Sequence, residues 1–190
     1  MTTKKELRAE LKKLAKSSLD KGLCKVYSQS VVENILKTEE FQKANAIGLY
    51  HALFDEPSLA YILDNFADKK ELYLPRCESA TEIEFFRYRG PQDLRIGAFG
   101  IEEPQADPKD AVDPQHLDLI LVPATIYDKK GIRLGRGKGY YDRYLPKADK
   151  AAQIGVTYGL KEVDCLPSDP WDRAVDKVIS PKGIFIPENK

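Results

Sequence analysis

The segment that most constrains the fold is residues 117–123, LDLILVP. From Leu119 to Val122 every side chain is apolar, so the run has no polar face to turn toward water. A strand of this kind is covered on both sides, as in the centre of a parallel sheet with helices on each face. The neighbouring segments supply that setting. NAIGLY (45–50), ELYLP (71–75), QIGVTYG (153–159) and DKVIS (176–180) are short and strand-like, while EIEFFRYR (82–89) alternates in part, as an edge strand does. Helical patterns lie between them. Leu7, Leu11 and Leu14 recur at helical spacing behind a cap at Thr3. A second helix is predicted from about Val26 to Phe41, with Val31, Ile35 and Leu36 inward. Pro57 suits the first turn of a third, whose stripe is Leu59, Ile62, Leu63 and Phe66. Strands alternating with helices predict an α/β fold: a single domain over residues 1–190, its mostly parallel sheet flanked by helices in a Rossmann-like topology. The Pro- and Asp-rich stretch 102–115 is expected to be a surface loop.

Charge narrows the partners. Thirty Lys and Arg balance thirty Asp and Glu, so the net charge is zero. Nucleic-acid binders carry a basic face, and no nucleic-acid partner is expected. No apolar run approaches membrane-spanning length, so no membrane association is expected either. The first residues are charged and periodic, unlike a secretory signal. Cys24, Cys77 and Cys165 are odd in number and widely spaced, which reads as free thiols in a reducing compartment rather than a disulfide frame or zinc site. The expectation is a cytoplasmic monomer.

Residues 131–146, GIRLGRGKGYYDRYLP, concentrate backbone freedom and positive charge. Gly131, Gly135, Gly137 and Gly139 are interleaved with Arg133, Arg136 and Lys138, and Tyr140, Tyr141, Asp142 and Arg143 follow. The stretch lies beyond the carboxyl end of the strand at 117–123, where open α/β sheets bind ligands. Glycines let the backbone approach an anion and turn N–H groups toward it. The helix expected from Tyr140 would add the favourable end of its dipole, and each hydrogen bond from a cationic side chain contributes about 1.5–3 kcal/mol. Such a loop suits a phosphate chain, and Asp142 suits the Mg²⁺ that accompanies a triphosphate. The Walker pattern and the Rossmann glycine spacing are both absent. On the residues alone the stretch is an anion site or a solvated turn.

The segment VPATIYDKKGIRLGRGKGYYDRYL (122–145) resembles the signature of the 5-formyltetrahydrofolate cyclo-ligase family, also called methenyltetrahydrofolate synthetases. The pattern is kept at Pro123, Asp128, Gly131, Arg133, Leu134, Gly135, Gly137, Gly139, Tyr140, Tyr141, Asp142 and Leu145. KKELR (4–8), FDEPSL (54–59), YLP (73–75), GIEEP (100–104) and LPSDPWDRAVDKVIS (166–180) follow the family's order, so the resemblance spans nearly the whole chain. It implies an ATP- and Mg²⁺-dependent conversion of 5-formyltetrahydrofolate to 5,10-methenyltetrahydrofolate, ADP and phosphate. Phosphorylation makes the formyl oxygen a leaving group, and the second folate nitrogen then closes the ring. Such chemistry needs positioning and charge neutralisation more than covalent help from the protein.

By the same resemblance, Lys4, Arg8, Arg133, Leu134, Gly135, Arg136, Gly137, Lys138, Gly139, Tyr140 and Tyr141 hold the nucleotide. Glu56 and the run from Arg136 to Tyr140 face the folate; Arg136, Lys138 and Tyr140 act in catalysis; Asp142 and Asp172 are the metal-side acids. Each has a plainer reading. Lys4 and Arg8 lie one helical turn apart and could be decoration like Lys5, Lys12 and Lys13. Glu56 could be an acid at a helix N-terminus, Asp172 a loop cap. Tyr50 and Phe54 could flank the pterin or simply pack. Arg136 and Lys138, either side of Gly137, could point to different sides of an extended loop. His51 and His116 have no required role in the family's chemistry. Ala124, Lys161, Trp171 and Ser180 depart from common family residues: Gly, Gln, His and Thr respectively. Two other classes fit the residues: a non-catalytic nucleotide- or folate-binding relative, and a sugar-phosphate isomerase or transferase that would need no ATP.

Overall fold

The computed structural model describes residues 3–188. The first helix, α1 (Lys4–Ser18), opens on a capping box: the Thr3 hydroxyl accepts from Glu6 N at 3.2 Å, and the Glu6 carboxylate accepts from Thr3 N at 2.7 Å. The helix predicted from Val26 to Phe41 is two helices. Helix α2 (Lys21–Leu36) starts behind Asp20, whose carboxylate accepts from Leu23 N at 2.8 Å. Thr38 then breaks the run and caps α3 (Glu39–Lys43).

The main sheet contains β1 (Ala46–Gly48), β2 (Glu71–Cys77) and β3 (Ile83–Arg87). A two-stranded antiparallel ribbon, β4 (Leu94–Ile96) and β5 (Glu102–Pro104), stands beside it, so the expected loop at 102–115 begins as a strand. The chain continues through β6 (Leu119–Pro123), the small hairpin of β7 (Ile126–Tyr127) and β8 (Arg133–Leu134), then β9 (Ala152–Val156), β10 (Lys177–Ser180) and β11 (Gly183–Phe185). The seven-stranded order is β11-β10-β9-β6-β1-β2-β3; only the two edge pairings, β10 with β11 and β2 with β3, are antiparallel. The strand expected to be buried on both faces is the fourth of the seven. Leu119 and Leu121 join the core under α2, α3 and α4 (Ala60–Phe66), while Ile120 and Val122 join the opposite core with Phe85, Tyr144 and Val178.

Pro57 does not begin α4, which starts at Ala60; its carbonyl instead accepts from the Tyr50 hydroxyl at 2.8 Å. Helix α1 does not cover the sheet. Leu7 and Leu11 pack on Ile126 and Leu134 of the β7–β8 hairpin and on Leu166. That placement brings the amino end of the chain to the ligand-binding edge of the sheet. Among the described residues the three cysteines are free thiols, and no helix is long and apolar enough to cross a membrane.

Candidate active site

A cleft of about 380 Å³ opens at the carboxyl ends of β1, β2 and β6, within the size range of small-molecule sites. Tyr50 and His51 follow β1, Pro75 and Cys77 end β2, and Pro123, Ala124 and Thr125 leave β6. Strand order reverses between β1 and β6: successive strands add to one side, then to the other. This is the switch point at which open α/β sheets accept ligands.

The glycine-rich loop forms the cationic wall. Asp128, 2 % exposed, sets its base: Oδ1 accepts from Lys130 N and Ile132 N, both at 2.9 Å, and Oδ2 accepts from Leu166 N at 2.9 Å. Past β8, Gly137 and Gly139 take φ values of +91° and +68°, a region that L side chains enter at a cost of roughly 1–2 kcal/mol. A Cβ on Gly137 would sit 3.2 Å from the Arg8 guanidinium carbon, so this backbone turns directly against α1. Arg8 fixes the contact by donating Nε–H to the Gly135 carbonyl at 2.7 Å. Arg143, in α5 (Tyr140–Tyr144), ties the far end to the Thr81 carbonyl at 2.6 Å.

The opposite wall is acidic. Asp55 and Glu56 are buried, and both pair with Arg136, Glu56 at 3.5 Å. The second Glu56 oxygen accepts from Leu53 N at 3.1 Å. Burial pushes the Glu56 carboxyl up; the Leu53 hydrogen bond and the Arg136 charge oppose that shift without cancelling it. Nearby, burial lowers the His51 imidazole, whose Nε2 is buried without a hydrogen-bond partner among the described residues. Burial also raises the Tyr141 phenol well above its ordinary value.

Three further ion pairs organise the mouth. Arg133, itself buried, donates to the Asp142 carboxylate and to the Arg173 carbonyl, the latter at 3.0 Å. Lys4 grips both Asp169 and Asp172 at 2.6 Å. Lys138 differs from these cations: among the described residues its ammonium makes no ion pair. Asp142 and Asp172 both line the cleft, yet no group of three or more His, Cys, Asp or Glu side chains forms a metal cage among the described residues. Two carboxylates fit Mg²⁺ brought in on phosphates, since that ion takes one or two carboxylates and completes its shell with phosphate and water.

Most residues singled out in the sequence therefore line one cleft: Lys4, Arg8, Glu56, Arg133, Gly135 to Tyr141, Asp142 and Asp172. Lys5, Lys12 and Lys13 are exposed and lie outside its lining. Leu134 is an exception, because its side chain is 1 % exposed and packs against α1. Phe54 is another, 53 % exposed and outside the lining, whereas Tyr50 is buried against it. Glu56 is no helix-terminal acid, since α4 starts four residues later. Gly137, at a φ of +91°, bends the chain between Arg136 and Lys138, and both line the cleft. His116 sits away from the cleft and pairs with Glu71 at 2.8 Å. Of the departures, Lys161 pairs with Glu10 at 2.6 Å, Ser180 holds the β10–β11 turn through Lys182 N at 3.2 Å, and Ala124 and Trp171 line the cleft. Sequence reading passed over Asp55 and Asp169, whose only signal is proximity to Glu56 and Asp172.

A switch-point cleft with one glycine-rich cationic wall and one buried carboxylate wall defines an α/β protein built to hold an anionic ligand beside a hydrogen-bond-donating one. The 5-formyltetrahydrofolate cyclo-ligase family profile matches residues 1–181, and the chain belongs to that family. A 5-formyltetrahydrofolate cyclo-ligase of Haemophilus influenzae is 30 % identical over 179 residues, covering 90 % of this chain and 95 % of the relative. A mouse protein of the same name is 29 % identical over 191 residues, covering 94 % and 93 %. The solution structure of the Aquifex aeolicus 5,10-methenyltetrahydrofolate synthetase superposes with a TM-score of 0.82 at 35 % identity, covering 97 % of this chain and 94 % of that one.

Proposed function

We propose that this chain closes 5-formyltetrahydrofolate to 5,10-methenyltetrahydrofolate at the expense of ATP. The observation that carries the reading is the meeting, across one cleft, of the buried Glu56 carboxylate and the Arg136–Lys138 cations. Glu56 is fixed by Leu53 N and offers its carboxylate to the N–H donors of the pterin. The loop from Gly135 to Tyr141, backed by Arg8, receives the triphosphate, and Lys4 supplies charge at the mouth. The formyl oxygen attacks the terminal phosphorus and ADP leaves. The second folate nitrogen then attacks the formyl carbon, and phosphate departs carrying the former formyl oxygen. Negative charge builds on the phosphoryl group in the first step. Arg136 and Lys138 are the preorganised cations for it, and Tyr140, whose hydroxyl donates to the Ser79 carbonyl at 3.3 Å, lines the same cleft. Mg²⁺, when bound with the nucleotide, neutralises phosphate charge, and Asp142 and Asp172 are the side chains that would hold it. The free thiols support a reducing, cytoplasmic setting, and we propose a monomer.

The test is the absorbance of the methenyl product on mixing purified protein with ATP, Mg²⁺ and 5-formyltetrahydrofolate. Product and phosphate should appear only with all components present. Neither appearing would remove the reading in favour of a binding protein.

A further inference from the structure

Residues 169–172 form a tight turn at the cleft mouth. Asp172 N donates to the Asp169 carbonyl at 3.0 Å, and Asp169 N donates to the Asp172 carboxylate at 2.8 Å. Both carboxylates of this turn grip Lys4 of α1. The turn is therefore closed on itself and pinned to a helix. At its tip stands Trp171, 63 % exposed, yet part of the cleft lining. A large aromatic held in water on a fixed turn, at the rim of a cleft, is a surface for a flat ring.

Which ring it serves follows from its neighbours. The turn is fastened through Lys4, one helical turn from Arg8, which backs the glycine-rich loop. That is the cationic end, suited to phosphates. The buried carboxylate of Glu56, suited to a donor-rich pterin, comes from a different loop. We infer that Trp171 is a nucleotide-binding residue that stacks on the purine base of the nucleotide, with the Lys4–Asp169–Asp172 ion pairs holding it in place. This rests on the ATP-dependent reading above. Every nucleobase offers a π-face to an aromatic side chain, and loss of such a stack weakens binding about 5-fold to 100-fold.

Trp171 is the only tryptophan of the chain, so its fluorescence reports on this position alone. The experiment titrates a non-hydrolysable ATP analogue into the wild type, Trp171→Phe and Trp171→Ala, with calorimetry for all three and fluorescence for the wild type. 5-Formyltetrahydrofolate is titrated by calorimetry in parallel. Expected are quenching by the nucleotide analogue, a 5-fold to 100-fold weaker analogue affinity in Trp171→Ala, near wild-type affinity in Trp171→Phe, and unchanged folate affinity. Weakened folate binding with intact nucleotide binding would overturn the assignment, as would equal affinities for both ligands in all three proteins. Methenyl formation by the wild type is measured alongside. Its presence with unchanged nucleotide affinity in Trp171→Ala rejects the stacking role alone, while its absence rejects the enzymatic reading.

Discussion

Arg136 reaches back 81 residues to place its guanidinium on Asp55, a carboxylate that is 3 % exposed, and touches Glu56 on the way. One cation thus joins the two walls of the cleft and neutralises a buried acid as well as facing the cleft.

Truncating Arg136 has two separable effects. Arg136→Ala leaves Asp55 buried and unpaired, and should cost about 3 kcal/mol or less, at the low end for buried pairs because Arg136 is itself 37 % exposed. Turnover should also fall by roughly 10²-fold, as for other lost transition-state donors. Adding Asp55→Asn should restore the melting temperature without restoring kcat. Thermal unfolding and steady-state kinetics of the single and double variants decide the point; joint recovery would make Arg136 structural only.

Among the described residues Lys138 has no ion pair to lose. Lys138→Ala should change stability by no more than about 0.5 kcal/mol while lowering kcat by roughly 10²-fold, with a smaller effect on calorimetric binding of an ATP analogue. A raised Michaelis constant for ATP with unchanged kcat would make the residue a docking contact.

Glu56 sets a pH dependence. Its folded carboxyl titrates above the ordinary value of 4.5, chiefly through burial, so the folded state keeps a proton that the unfolded chain releases. Stability from this group is present below 4.5 and is lost as pH rises through the folded value. In the proposed reaction the pterin donors need the ionised Glu56, so the Michaelis constant for the folate should climb as pH falls through that same window. Glu56→Gln should lose both trends and bind the folate poorly at every pH. Denaturant unfolding and kinetics across the acid range provide the comparison.

Asp142 is bound into the structure as well as facing the cleft. Because it neutralises the buried Arg133, Asp142→Asn should destabilise by about 1–3 kcal/mol and raise the Mg²⁺ concentration needed for half-maximal turnover. An unchanged magnesium titration in a destabilised protein would assign Asp142 to the Arg133 pair alone.

Gly137 and Gly135 separate backbone strain from side-chain crowding. Gly137→Ala faces both a φ of +91° and the Arg8 guanidinium, and should cost about 1–2 kcal/mol and raise the Michaelis constant for ATP. A Cβ on Gly135 meets nothing within 4 Å, so Gly135→Ala should keep its melting temperature.

What could be read in advance follows physical range. The unbroken apolar run at 119–122 announces a strand covered on both faces, and Thr3 before the Leu7, Leu11 and Leu14 stripe announces a helix start, because both signals are local. The start of α2 at Lys21 is hidden, since KGLCK has no apolar stripe and its evidence is the single cap at Asp20. The delayed start of α4 reflects tertiary structure overriding Pro57, whose carbonyl is taken by Tyr50. In the cleft, the glycine-rich loop was legible as a stretch, but the partners of its cations were not. Nothing in the spacing of Asp55 and Arg136 marks them as a pair, and nothing around Leu134 marks its side chain as belonging to α1 rather than to a ligand.

The Lys4–Asp172 contact also bears on how the molecule comes into being. Asp172 follows Lys4 by 168 positions. Synthesis runs from the amino end, so α1 must wait for this later segment before its partner turn exists, and joining such distant points carries a large loop-closure cost. A nascent chain halted before this turn would hold a glycine-rich loop without a finished rim. Competence to bind nucleotide should therefore arrive abruptly, once this turn has emerged, rather than grow with length.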